Sequence, residues 1–294
     1  MKRAMVGLIG GAVLSGVAAV AASGQNESAR ETKATTADIQ LWRLDCGAIR
    51  VNDLNAFSDI YAYTGRTKQL TSSCYLIRHG ATYMIWDTGL PVSLKGKPTN
   101  GTDPLSATLS VTIAEQLAKL NVKPEQVTTV GISHYHFDHV GQASMFPAAK
   151  LLIGDEDLKV LRNPPAGVDA APLAGWLKDG ADVEGGQIEG VRGDKDVFGD
   201  GSVQMIDLPG HTPGHHGLLL RLKNKGMVLL SGDVAHFNEN LANEGVPPFN
   251  SDRAQTLASL QRFKAIAANL GATLIIQHEP EDITKLPVFP AAAD

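Results

Sequence analysis

The feature that most constrains this 294-residue chain is a short apolar run ending in a knot of ligand-type residues. Val127-Thr128-Thr129-Val130-Gly131-Ile132-Ser133 leads directly into His134-Tyr135-His136-Phe137-Asp138-His139. The run is rich in β-branched residues and short enough to be a buried strand. It delivers three of the chain's nine histidines, with an aspartate between them, to a strand end. Side chains there are held by the sheet yet stay accessible, the usual place for a site in an α/β protein. His134 and His136 stand two apart, so extended backbone points both to one side, while His139, past Asp138, faces a second position. A cluster of exposed histidines is the bland alternative. It explains neither the strand that feeds the cluster nor the lack of other solvating residues around it. Neutral imidazoles with carboxylates suit zinc, and also manganese, iron or cobalt.

Three later segments end in the same way. Pro209-Gly210-His211-Thr212-Pro213-Gly214-His215 is a Gly- and Pro-bounded loop between strands that presents His215; Ser231-Gly232-Asp233 ends a strand with a carboxylate; Gln277-His278-Glu279 ends another with an imidazole. His211 is assigned structural or outer hydrogen bonds, and His216, at a strand start, points opposite to His215. Asp87 at a strand end is placed to orient a metal-bound imidazole. His79, next to Gly80, reads as a plain turn residue.

The first residues differ from the rest. Lys2 and Arg3 precede an apolar run from Ala4 to Val20 and the small residues Ala21-Ala22-Ser23, the layout of a cleaved secretory signal over residues 1–23. Four glycines interrupt the run, which is shorter than the about 20 residues a spanning helix needs, so no stable membrane insertion is expected after cleavage. Residues 24–38 are polar and read as a flexible leader, and 39–294 as a single globular domain. Removing residues 1–23 takes away Lys2 and Arg3 and no acid, moving the net charge from −5 to −7, which disfavours nucleic-acid partners. Cys46 and Cys74 each sit in an apolar stretch and read as small buried thiols; a disulfide is the alternative in an oxidising compartment. The expected location is periplasmic or secreted.

Periodicity predicts strands at Ile39–Leu44, Cys74–Arg78, Tyr83–Asp87, Val127–Ser133, Lys150–Ile153, Val203–Leu208, His216–Leu222, Met227–Leu230 and Thr273–Gln277. It predicts helices over Ala107–Leu120, Asp155–Leu161 and Asp252–Leu270, the last with Asn250 or Ser251 as N-cap and Gly271 as its stop. The Pro-, Gly- and Asp-rich stretch from Asn163 to Asp196 reads as an insertion that walls a pocket.

With these motifs in order, the chain resembles the metallo-β-lactamase superfamily, through His134-Tyr135-His136-Phe137-Asp138-His139, His215, Asp233 and His278, and through the Asp-Thr-Gly turn at Asp87. The resemblance implies a four-layer αββα sandwich of two mixed β-sheets flanked by helices. It further implies two divalent metal ions, zinc first among them, with His134, His136 and His215 on one, Asp138, His139 and His278 on the other, and Asp233 bridging. True β-lactamases of this fold carry Cys or Ser where Asp233 stands, so lactonase-like members are the nearer resemblance. Ser73-Cys74-Tyr75-Leu76-Ile77, His136 to Gly141 and Gly210 to His215 look most like N-acyl-homoserine lactonases. Many of these place a tyrosine three residues after the bridging aspartate; here that position is His236, either a hydrogen-bond donor to the substrate or a pocket wall.

The implied partner is a small-molecule lactone or ester, and the sequence allows a homodimer. Two ions about 3.5 to 4 Å apart can make a shared water nucleophilic near neutral pH, with Asp138 shuttling the proton. Phe57, Tyr61, Tyr63, Trp176 and Phe237 are candidates for an acyl-chain groove. A broader esterase, β-lactam or phosphotriester hydrolase on the same site is the second reading, and a metal-binding protein without turnover the third.

Overall fold

The computed structural model describes residues 38–178 and 187–294; the signal read over 1–23 and, apart from Asp38, the leader lie outside the described residues. Strands among the described residues form two sheets. The first contains β1 (Ile39–Val51), β2 (Lys68–His79), β3 (Thr82–Trp86), β4 (Leu105–Thr108), β5 (Val127–Gly131), β6 (Lys150–Gly154) and β7 (Ile188–Val191), in the order β4-β1-β2-β3-β5-β6-β7. The second contains β8 (Lys195–Asp196), β9 (Val203–Asp207), β10 (His216–Leu222), β11 (Gly226–Leu230) and β12 (Thr273–Ile275), in the order β12-β11-β10-β9-β8. Each sheet is mixed. β3, β5, β6 and β7 run parallel, as do β11 and β12, and the remaining pairs are antiparallel.

Alternation along the strands makes the layers, because successive side chains point to opposite faces. In β2, Tyr75 and Ile77 pack in the same cluster as Leu218 and Leu220 of β10 and Val228 and Leu230 of β11, which joins the two sheets face to face. Leu76, between them, turns the other way and meets α1 (Ile113–Lys119) and α3 (Asp155–Arg162) through Ile113, Leu117, Leu158 and Leu161. Leu219 and Leu229 likewise turn outward to Leu260 and Phe263 of α5 (Arg253–Leu270). The result is helices, sheet, sheet, helix, as the resemblance implied. Two short helices, α2 (Phe137–Val140) and α4 (Asn238–Asn243), lie on loops that leave strand ends. Among the described residues no helix is long and apolar enough to cross a membrane.

Several expectations are corrected. The helix expected over Ala107–Leu120 is half its length: Leu105–Thr108 is strand β4, and α1 starts only after Thr112, whose side chain and Glu115 form a reciprocal cap. The β-branched Thr108, Val111 and Thr112 favour extended backbone ahead of that cap. α5 is capped by Asp252 rather than Asn250 or Ser251. In the stretch from Asn163 to Asp196, two segments pair as β7 and β8, and Leu173 and Trp176 pack into the first core cluster.

Cys46 and Cys74 are not free thiols but a disulfide with a Cα–Cα distance of 5.8 Å. The physical reason is register. Leu44 lies opposite Cys74, and an irregularity between Asp45 and Ala48 brings Cys46 alongside. Gly47, at φ +119°, makes that bend, and a Cβ there would collide with Leu90.

Candidate metal centre

The segment that follows β5 into the site is braced by Asp87, directly after β3. Its Oδ1 accepts from the Ser133 N–H at 2.7 Å, and its Oδ2 accepts from the Ser133 hydroxyl and from Nδ1 of His139, both at 2.9 Å. A carboxylate only accepts, so His139 carries its proton on Nδ1 and turns the Nε2 lone pair inward. Thr88 adds a 3.0 Å hydroxyl bond to the His139 carbonyl. The orienting role expected of Asp87 is the one its contacts support.

Donor atoms gather in two adjacent groups: His134, His136, His211 and Asp233, and Asp138, His139 and His278. His211 Nε2 lies 3.1 Å from His134 Nε2 and 2.9 Å from His136 Nδ1, and 3.4 Å from Asp233 Oδ2. On the other side, His278 Nε2 lies 3.1 Å and His139 Nε2 3.4 Å from Asp233 Oδ1, with Asp138 Oδ2 3.5 Å from His278 Nε2. Asp233 therefore turns one oxygen to each group. The outer nitrogens are already fixed: His211 Nδ1 donates to Asn250 Oδ1 at 2.9 Å and His278 Nδ1 to the Thr71 carbonyl at 2.7 Å.

Burial favours the neutral form of His134, His136 and His211 and lowers all three pKa values. Burial also opposes charge on His139 and His278. There the Asp233 and Asp138 carboxylates, with Asp87 beside His139, outweigh it and raise both. Burial would raise Asp233, but the surrounding imidazoles, His278 and His139 foremost, hold it well below its ordinary value.

This donor set fits divalent ions. Converging imidazole lone pairs repel one another unless a cation or proton sits between them. His139 Nε2 and Asp233 Oδ1 are buried without a hydrogen-bond partner, which costs free energy that an ion would relieve.

One ligand assignment is corrected. His215 is in neither group. Its Nδ1 donates to the Leu208 carbonyl at 3.0 Å and its Nε2 accepts the Asp233 N–H at 2.7 Å, so both nitrogens are committed. His211 stands in its place. The loop between β9 and β10 carries two histidines with the same Gly and Pro neighbours, and composition cannot say which ring turns inward.

A cavity of about 280 Å³ opens over the centre. His136, Asp138, His211, Asp233, His236 and His278 form its floor, and Ile49, Phe57, Leu70, Leu105, Phe137 and Phe249 its wall. His236 Nε2 lies 3.2 Å from Asp233 Oδ2, and its ring lies parallel to that of His278 with centroids 5.8 Å apart. Of the five aromatic candidates only Phe57 lines the cavity. Tyr63 and Phe237 pack in a buried cluster beneath it, Trp176 donates its indole N–H to the Ala149 carbonyl, and Tyr61 faces solvent. The stretch from Asn163 to Asp196 contributes none of the lining side chains among the described residues.

Sequence reasoning passed over Asp157 on α3. Its buried carboxylate accepts from Thr212 Oγ1 and Gly214 N, both at 2.7 Å, so α3 pins the His211 loop. Burial raises its pKa to about 7. Nothing local marks it, because its partners lie more than fifty residues away.

Comparison with known proteins places the chain in a family. A family model of the metallo-beta-lactamase superfamily matches residues 67–278. An N-acyl homoserine lactonase of Azorhizobium caulinodans is 25% identical over 254 residues, 83% of this chain and 94% of the relative. A solved N-acyl homoserine lactone hydrolase, with N-hexanoyl-L-homoserine at its catalytic metal centre, superposes with a TM-score of 0.72 at 23% identity, covering 87% of this chain and 99% of that one. A dizinc quorum-quenching lactonase, also holding that product, gives 0.62 at 17% identity over 87% and 90%. The chain belongs to the metallo-beta-lactamase superfamily, with N-acyl homoserine lactonases, metal-dependent hydrolases of an ester bond, among its relatives.

Proposed function

We propose that this protein is a dinuclear metal hydrolase that opens the lactone ring of N-acyl homoserine lactones outside the cytoplasm. The observation that carries the reading is the placement of Asp233, one carboxylate oxygen towards each histidine group, on the floor of a cavity whose wall is apolar. Such a cavity suits a polar ring over the floor and an acyl chain against the wall. The relatives' substrates point the same way. His134, His136, His211 and Asp233 would hold one ion and Asp138, His139, His278 and Asp233 the other, and the dizinc relative favours zinc. The disulfide, a bond that persists in oxidising compartments, supports a periplasmic or secreted location together with the signal-like residues 1–23.

When bound, the ions supply Lewis acidity and a water that is nucleophilic near neutral pH. The chain's own groups do the rest. Water adds across the acyl carbon–oxygen bond, its oxygen going to the acyl carbon and a proton to the departing ring oxygen. Asp138, on the cavity floor, carries that proton. His236 faces the same space and offers an N–H to the lactone carbonyl or the departing oxygen.

The test uses zinc-reconstituted protein with N-hexanoyl homoserine lactone, an aryl ester, a β-lactam and an aryl phosphotriester side by side. Ring opening, read as gain of one water by mass and fastest on the lactone, is the expected result. Protein carrying two zinc ions that leaves the lactone intact while hydrolysing another class overturns the assignment.

A further inference from the structure

His215 packs its ring against those of His134 and His211, with centroids 5.3 and 5.8 Å apart, but its one hydrogen bond to either ligand group goes to the Asp233 main chain. It is fully buried. A single neutral tautomer satisfies both of its contacts, donating from Nδ1 to Leu208 and accepting at Nε2 from the Asp233 N–H. The Leu208 N–H in turn bonds the His215 carbonyl at 2.9 Å, which ties the ring to the end of β9. Gly232, at φ +53°, lies against the ring so closely that a Cβ there would stand 2.5 Å from Nε2. The strand end that carries Asp233 is therefore seated on an imidazole anchored two strands away.

We infer that His215 is a positioning residue that sets Asp233 between the two ions. The inference rests on the proposed reading of the two groups as a dinuclear centre. Asp233 reaches His278 on one side at 3.1 Å and His211 on the other at 3.4 Å. The two distances are so nearly equal that a small main-chain shift would favour one group over the other. Outer partners of this kind are typically worth about 10–100-fold in metal affinity.

Cobalt(II) titration followed by visible absorption tests it on the full-length protein and on His215→Gln, His215→Asn, His215→Leu and His211→Gln. Glutamine places an acceptor where Nε2 stood, whereas asparagine keeps only a group near Nδ1. Gln should hold two equivalents within about 3-fold of the wild-type affinity, and Asn and Leu should bind about 10–100-fold more weakly. All three should keep the wild-type band shape once saturated, while His211→Gln alters it through loss of a nitrogen ligand. Equal affinity for Gln and Asn, or a ligand-loss spectrum in the His215 variants, overturns the inference. If the leucine variant does not fold, the Gln and Asn pair still decides. Wild-type protein that takes up fewer than two ions overturns the dinuclear reading itself, and is thereby distinguished from a failure of His215 alone.

Discussion

The floor and the wall of the cavity are built under different constraints. On the floor, His211 and His278 have their outer nitrogens fixed by Asn250 and the Thr71 carbonyl, and His139 behind them is fixed by Asp87; these imidazoles come from strand ends in both sheets. Wall side chains come from β1, β2 and β4, the start of α2 and the loops at Phe57 and Phe249, and three are substantially open to solvent: Leu105 at 42%, Phe137 at 43% and Phe249 at 50% exposure. A hydrogen-bonded floor fixes angles and distances, so small errors are costly. An apolar wall reads volume and tolerates exchange. Chemistry should therefore be set by the floor and selectivity by the wall.

That division can be broken at several points. His211→Ala should have the largest effect, with loss of one bound ion and a fall in turnover well beyond the about 10–100-fold typical of an outer partner; metal analysis after dialysis checks it, and retention of both ions breaks the account of the floor. Asp138→Asn keeps shape and removes a proton carrier, so kcat should fall about 10²- to 10⁴-fold with folding unchanged by circular dichroism. Unchanged turnover in that variant would remove Asp138 from the mechanism. Phe249→Ala sharpens the comparison from the wall side. A fully buried Phe is worth about 1.5–3 kcal/mol, and half of that raises KM for a decanoyl substrate roughly 5-fold. Its kcat, and its KM for a short-chain substrate, should hardly move. A fall in kcat on both would show that wall and floor are coupled.

The same division explains what could be read from the sequence. Seven of the eight residues that the structure gathers at the floor and centre, from His134 to His278, could be singled out in the sequence because they stand at or just after strand ends. His211 and His215 were exchanged. Which of them turns towards Asp233 and the other donor side chains depends on where β10 starts and on the close approach of Gly232, and neither is local. The wall was mostly illegible, since large aromatic residues are equally at home in a core: Tyr63, Trp176 and Phe237 went there and Phe249 did not. The disulfide depended on a strand irregularity, and Asp157 on a contact across the fold.

His134, His136, Asp138 and His139 follow β5 of the first sheet, whereas His211, Asp233 and His278 hang from the second. Ions held there would rivet one half of the sandwich to the other, at an edge where polar groups from both sheets converge. Anything that binds the folded chain and not the unfolded one adds stability by mass action, about 2.7 kcal/mol at a hundred times its dissociation constant. The melting temperature of this protein should then act as a gauge of free metal in its surroundings, so that scarcity of the ion removes the fold's reserve of stability as well as its activity.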